Sequence, residues 1–314
     1  MSAPEGVILD CLLEEAQQLQ SERQETDALV SAYELPDLSD DPAVIYEYLR
    51  ATERWLVPND DYEVGSAQKA NDLYIIRGNK GVLLTAEHAT VQQRRQPDGT
   101  IAAKEEDSGT GALVIVNALE TFSNGVVAIG RQTGDANHDE THPFKELIGK
   151  IIIQSEDMAH LSLHGMKRAH AAKPRDPRGF AVQLGIGSDP SEATLALKDY
   201  LVEIGEQYDL KIGVNSPHIR FGSKTGKLLL HEDGSVKTVA FSAANPNTTR
   251  AYAQAVAERL GRGDSFAAIQ IELSDVLRSH PEALVSFPSQ RDRELGACLG
   301  YLFVRGAIES IDKL

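Results

Sequence analysis

The chain is expected to fold as an α/β protein with a mixed, mainly parallel central sheet, helices on both faces and a helical N-terminal extension. Three observations lead there. Short, branched, apolar runs of strand length recur, at residues 82–84, 159–163 and 267–273 among others. Amphipathic segments of helical period separate them, the pattern of a sheet covered on both sides. Several runs also end in polar or charged residues, namely His88, Arg131, His164 and Glu272. Open α/β sheets carry their chemistry just beyond the carboxyl ends of their strands.

Composition narrows the function classes. At 314 residues, 41% hydrophobic and 25% charged, the chain can bury a full core as an ordinary globular protein. A net charge of −16 argues against binding a nucleic-acid backbone and leaves no polybasic patch for an anionic membrane. A basic pocket for a small anionic substrate is compatible with that charge. The two cysteines, Cys11 and Cys298, lie near opposite ends and form no CxxC pair. Residues 1–5 lack the basic-then-apolar pattern of a signal peptide, and no apolar run approaches membrane-spanning length. A cytoplasmic location is expected.

Residues 6–32 read as an acidic amphipathic helix and 36–42 as a turn-rich linker, with Ser39 or Asp40 capping a helix from about Pro42 to Trp55. We take 1–60 as a helical extension, packed on the main domain or on a second subunit of a homo-oligomer, and 61–314 as the catalytic α/β domain. Residues 72–76 and 81–86 read as neighbouring strands around a turn at 77–80. A polar loop at 92–104 and a helix at 112–122 follow. The next strand is 126–129. Residues 147–153 suit helix or strand. Further strands are expected at 159–163, 182–187, 211–214, 227–230, 236–240 and 267–273, with helices at 191–207, 248–260 and 289–311.

A catalytic zinc ion needs three N, O or S ligands and an open position. His88 and His164 supply imidazoles, and Asp107 or Glu106 a carboxylate. Glu272 suits a base that takes a proton from water, and Arg131 suits stabilisation of an oxyanion. Each residue also has a structural reading. Asp107 could cap the following helix, His164 could be a core histidine, and Arg131 could pair with Asp135 or Asp139. His138, Asp139 and His142 read as a solvated loop rather than a second metal site. The basic stretch 167–178, with Arg168, is a candidate anion clamp or lid. Residues 245–250, ending in Arg250, could receive a substrate carboxylate at a helix start, where Thr248 is also a natural cap.

Five short motifs, in order between Gly81 and Arg278, resemble the N-formylglutamate amidohydrolase family, which is related to the zinc carboxypeptidases. They are Glu87-His88-Ala89, Asp107-Ser108-Gly109, Arg131 with Asp135-Ala136-Asn137, Leu163-His164-Gly165, and Gln270-Ile271-Glu272-Leu273. The resemblance implies a phosphorylase/hydrolase-like α/β fold. It implies zinc on His88, Asp107 and His164, with Glu272 as base and Arg131 and Asn137 handling the substrate. Asp107 is favoured over Glu106 because Gly109 follows it in the family spacing. The chain departs from the pattern at three places. His138 replaces an Arg and lacks its two-pronged geometry. Ser162 stands where Asp is common, and Val91 where a His-x-x-Glu would end.

The expected function is zinc-dependent hydrolysis of an amide bond in a small N-formyl or N-acyl amino acid or short peptide. The alternatives are a carboxypeptidase-like or poly-γ-glutamate-type metallopeptidase and, in another class, a metal-free binding or scaffold protein on the same fold. Retained zinc separates the first two from the last.

Overall fold

The apolar runs form the centre of the sheet because strands covered on both faces can expose little polar surface. A computed structural model describes residues 41–56, 73–95, 98–104, 106–129, 132–155, 158–166, 181–215, 220–221, 243–278 and 289–314. The helix expected at 6–32, Arg131, Arg168 with its basic stretch, and the strands expected at 227–230 and 236–240 lie outside the described residues.

The elements begin with α1 (Pro42–Leu56), β1 (Leu73–Ile76), β2 (Lys80–Ala86), β3 (Gln92–Arg95), β4 (Ile101–Lys104), α2 (Thr110–Thr121) and β5 (Ser123–Ala128). They continue with β6 (Gln132–Thr133), α3 (Pro143–Gln154), β7 (Ala159–Met166), β8 (Val182–Gly185), α4 (Glu192–Gln207) and β9 (Ile212–Asn215). The last are β10 (Arg220–Phe221), α5 (Thr249–Arg259), β11 (Ala267–Ser274), a 3-10 turn (Asp275–Arg278) and α6 (Gln290–Ile311).

The main sheet has eight strands among the described residues, in the order β1-β5-β2-β7-β11-β8-β9-β10. The β5-β2-β7-β11 block is parallel, and β1, β8 and β10 run antiparallel to their neighbours β5, β11 and β9. Helices α1, α2, α4 and α6 pack together on one face, and α3 packs with α5 on the other. The expected mixed α/β class is what the chain adopts.

Two local readings change, and one left open is settled. Strands β1 and β2 are not a hairpin: β5 lies between them, because β2 pairs in parallel with β5 and β1 closes antiparallel on its far side. The expected polar loop at 92–104 folds as the β3-β4 hairpin, which joins β6 in a small second sheet. The segment compatible with helix or strand is helix α3, started by Pro143 at its first turn and by His142, whose side chain accepts from the Phe144 N–H.

Residues Asp40–Leu314 form one compact unit, and α1 packs within it against α2 and α6. The 3-10 turn is seated against α6 at Gly296 and Gly300. A Cβ on Gly300 would lie 2.0 Å from the Leu277 carbonyl oxygen. That notch matters to the site, because the turn carries Arg278. Helix propensity alone favours Gly300→Ala by about 1 kcal/mol. The close approach reverses the sign, and we expect Gly300→Ala to lose about 1–3 kcal/mol in denaturant unfolding. A stabilised variant would contradict the notch.

Candidate metal centre

Strands β2, β7 and β11 are adjacent and parallel, so their carboxyl ends open on one edge. Chain alternation places His160, Ser162 and His164 of β7 on one face of the sheet and Leu161 and Leu163 on the other. Glu272 of β11 is the register neighbour of His164. Just after β2 come Glu87 and His88. Asp107 arrives on the loop between β4 and α2, fastened by its own N–H to the His88 carbonyl at 2.7 Å.

The three expected ligands converge. One donor atom from each of His88, Asp107 and His164 lies within 4.8 Å of the others. Asp107 Oδ2 is 3.4 Å from His88 Nδ1 and 3.4 Å from His164 Nδ1. Ligands about 2.0–2.1 Å from a tetrahedral metal stand about 3.3–3.4 Å apart, so both edges fit a small divalent ion. The rings meet edge to face, with centroids 4.9 Å apart.

The far nitrogens explain this orientation. His88 Nε2 lies 2.9 Å from Asp135 Oδ1. His164 Nε2 lies 3.0 Å from Ser162 Oγ and 3.4 Å from Glu87 Oε2. Partners held at both Nε2 positions turn Nδ1 of each ring toward Asp107, the orientation typical of metal-bound histidine. The Lys104 ammonium donates to His88 Nδ1 at 2.6 Å and stands 3.8 Å from Asp107 Oδ1.

Electrostatics favour a cation here. Against the penalty of burial, the neighbouring imidazoles of His164 and His88, with the Lys104 charge, hold Asp107 well below the usual carboxylate range. Asp135 is likewise held low, with burial opposed by His88 and Arg94. Burial lowers His164, but the carboxylates of Glu87, Asp107 and Glu272 prevail and raise it to about 9. Burial pushes Glu272 up to about 6, partly offset by His164 and by Gln270, whose amide donates to it at 2.7 Å.

Asp107 does not cap α2 with its side chain. The N-cap is Gly109, at φ 86, where a Cβ would sit 1.8 Å from the Arg278 carbonyl oxygen. The Gly109 N–H is met from α1 instead, by Glu53 Oε1 at 2.8 Å. Arg278 holds the Ser108 carbonyl with its guanidinium and donates to the Leu273 carbonyl at 3.0 Å. The loop bearing Asp107 is therefore clamped between α1 and the 3-10 turn.

Of the remaining expected residues, Asn137 is buried and its Oδ1 accepts from the N–H of Thr249 at 2.9 Å. His138 is half-buried, and burial pushes it down to about 4 despite Asp135, so it is neutral at pH 7. Arg250 is not brought to the cluster. Its Nε donates to the Ala268 carbonyl at 3.0 Å, four residues before Glu272 and so about 13 Å back along β11. The reason is local. Pairing of β8 with β11 begins only at Gln270, so Ala268 has open backbone groups that Arg250 and Thr194 satisfy. Within the loop expected to be solvated, His142 caps α3 and Asp139 accepts from the Asp135 N–H. Sequence reasoning left Glu87, Lys104, Arg94, Glu53 and Arg278 off the site. Glu87 alone carried a signal, as the acid between a buried strand and a histidine.

No family profile matches the chain, and no curated protein does. Solved structures do. The bacteriophage poly-gamma-glutamate hydrolase is similar over 77% of this chain and 90% of its own, at 14% identity and a TM-score of 0.39. A gene product of Agrobacterium tumefaciens is similar over 79% and 97%, at 14% identity and a TM-score of 0.43. The N-acetylmuramyl-L-alanine amidase of Mycobacterium smegmatis is similar over 75% and 99%, at 13% identity and a TM-score of 0.33.

Glu53 offers a test of the clamp. Its carboxyl is enclosed, with Oε2 making no hydrogen bond among the described residues, and burial raises it to about 7 from 4.5. A raised carboxyl contributes stability that is fully present below about pH 4.5 and lost as pH rises through about 7. Relative to wild type, Glu53→Gln should therefore gain stability as pH rises from 5 to 7.5, read as the difference in Tm. A constant difference across that range would show that burial does not raise the Glu53 carboxyl.

Proposed function

We propose that this chain is a zinc-dependent hydrolase of amide bonds, acting on a small N-formyl or N-acyl amino acid or a short peptide. The observation that supports it is the convergence of His88, Asp107 and His164, with Asp107 Oδ2 at 3.4 Å from both Nδ1 atoms. Buried, pre-oriented ring nitrogens around one carboxylate suit a divalent cation, and a two-imidazole, one-carboxylate set suits zinc with a position left for chemistry. When bound, zinc supplies Lewis acidity, making water a nucleophile at neutral pH and polarising a carbonyl.

The chain's residues supply the rest. Glu272, raised to about 6, is ionised at pH 7 and accepts the proton of the attacking water. It returns that proton to the departing nitrogen as the C–N bond breaks. Arg131 is assigned to the developing oxyanion and Arg168 to an anionic group of the substrate. Asn137 and His138 flank the substrate; His138, neutral at pH 7, would recognise it by hydrogen bonding rather than by charge. The proposed location is cytoplasmic, on the cysteine usage. Among the described residues, no helix is long and apolar enough to cross a membrane.

Metal content measured by mass spectrometry on purified protein is the first test. One zinc per chain is expected in wild type and in Glu272→Gln, and none in His88→Ala. Glu272→Gln should also lose about 10²–10⁴-fold in kcat on whichever N-formyl or N-acyl amino acid is cleaved. Wild-type protein without affinity for zinc after reconstitution would sink the reading. Lys104→Met, which removes the ammonium competing for His88 Nδ1, is expected to bind zinc more tightly in a chelator competition.

A further inference from the structure

Glu87 is completely buried and is neither a ligand nor the base in the proposed reaction. Its two oxygens have opposite surroundings. Oε1 accepts from the Thr85 hydroxyl at 2.9 Å, the Ser162 hydroxyl at 2.8 Å and the Thr249 hydroxyl, which come from β2, β7 and the first turn of α5. Oε2 makes no hydrogen bond among the described residues and faces His164 Nε2 at 3.4 Å. An ionised carboxylate buried in this way needs a positive or proton-donating neighbour on its free oxygen.

Proton accounting supplies that neighbour. A serine hydroxyl has one proton, and Ser162 gives it to Glu87. Toward His164 Nε2, 3.0 Å away, the Ser162 oxygen can then only accept. Thr85 repeats the pattern, giving its proton to Glu87 while lying 2.9 Å from His160 Nε2. Both Ser162 Oγ and Glu87 Oε2 thus call for a proton on His164 Nε2.

We propose that Glu87 is the positioning residue of His164: three hydroxyls lock one carboxylate oxygen so that the other holds the Nε2 proton and turns Nδ1 toward Asp107. The residue supplies, from the neighbouring strand end, the carboxylate that Ser162 does not. It also ties the start of α5 to the cluster, since Thr249 gives its hydroxyl proton to Glu87 and its N–H to Asn137. The metal-binding consequence rests on His164 being a ligand, while the proton's position does not.

Glu87→Gln separates this role from packing. The glutamine keeps the volume and an oxygen for the three hydroxyls, but presents an NH₂ donor to His164 Nε2. Nitrogen-15 spectra of histidine-labelled, metal-free wild type should show His164 protonated at Nε2, assigned by comparison with His164→Asn. A ring protonated only at Nδ1 would overturn the proposal whether or not the protein binds metal. In chelator competition, zinc affinity should fall about 10–100-fold in Glu87→Gln. Glu87→Asp, which keeps the charge with a shorter reach, should lose less. Unchanged affinity in Glu87→Gln, in a protein whose wild type binds zinc, would overturn the positioning role alone. Wild type that binds no zinc would instead remove the metal reading and leave the nitrogen-15 result to decide the inference.

Discussion

The carboxylate of Asp107 is the constraint from which the rest of the site follows. Its side chain is only 13% exposed, and a charge so enclosed must be matched by protons or a cation nearby. Two imidazoles meet it at equal distances, each backed by a carboxylate of its own, Asp135 behind His88 and Glu87 behind His164. The result is alternating layers of acid and imidazole. Opposite charges hold the carboxylates ionised and raise His164, so the electrostatics and the geometry favour the same occupant.

The layers are kept in place by elements distant in sequence. Asp107 reaches the histidines because its loop is clamped from two sides, by Glu53 of α1 and by Arg278 of the 3-10 turn. That turn in turn depends on the missing side chain at Gly300. Gln92 performs a similar service on the other flank. Its side chain binds the Glu87 carbonyl and accepts from the Ala136 N–H, fixing the loop that carries Asp135. Precision at the cluster is thus a property of several packed elements rather than of one motif, as expected for a site whose ligands must be oriented before they bind.

Glu272 illustrates how position sets a role. It is a carboxylate in the same buried surroundings as Asp107, yet it is pushed upward where Asp107 is held down. The difference lies in partners: Asp107 has two imidazoles and an ammonium beside it, whereas Glu272 is hydrogen-bonded by one amide and repelled by Asp107. Two nearby carboxylates with separated pKa values suit the two roles proposed for them, ligand for Asp107 and base for Glu272.

The α/β class, most helices and the central strands were legible in the sequence, because hydrophobic period and strand-end polarity are local properties. His88, His164 and Glu272 could be named for the same reason, since each lies at or just beyond the end of a readable strand; Asp107 was preferred to Glu106 only on the family spacing. The sequence could not say that β5 separates β1 from β2, that the polar loop at 92–104 pairs as a hairpin, or that Arg250 points back toward Ala268. These depend on strand order and on which backbone groups remain unpaired, which are non-local. Nor could it reveal Glu53 and Arg278 as supports, since both act through the backbone of a loop far from them in the chain. The sequence determined which groups could do chemistry. The tertiary structure decided which of them meet, because buried charges settle only where packing brings their partners within a few ångströms.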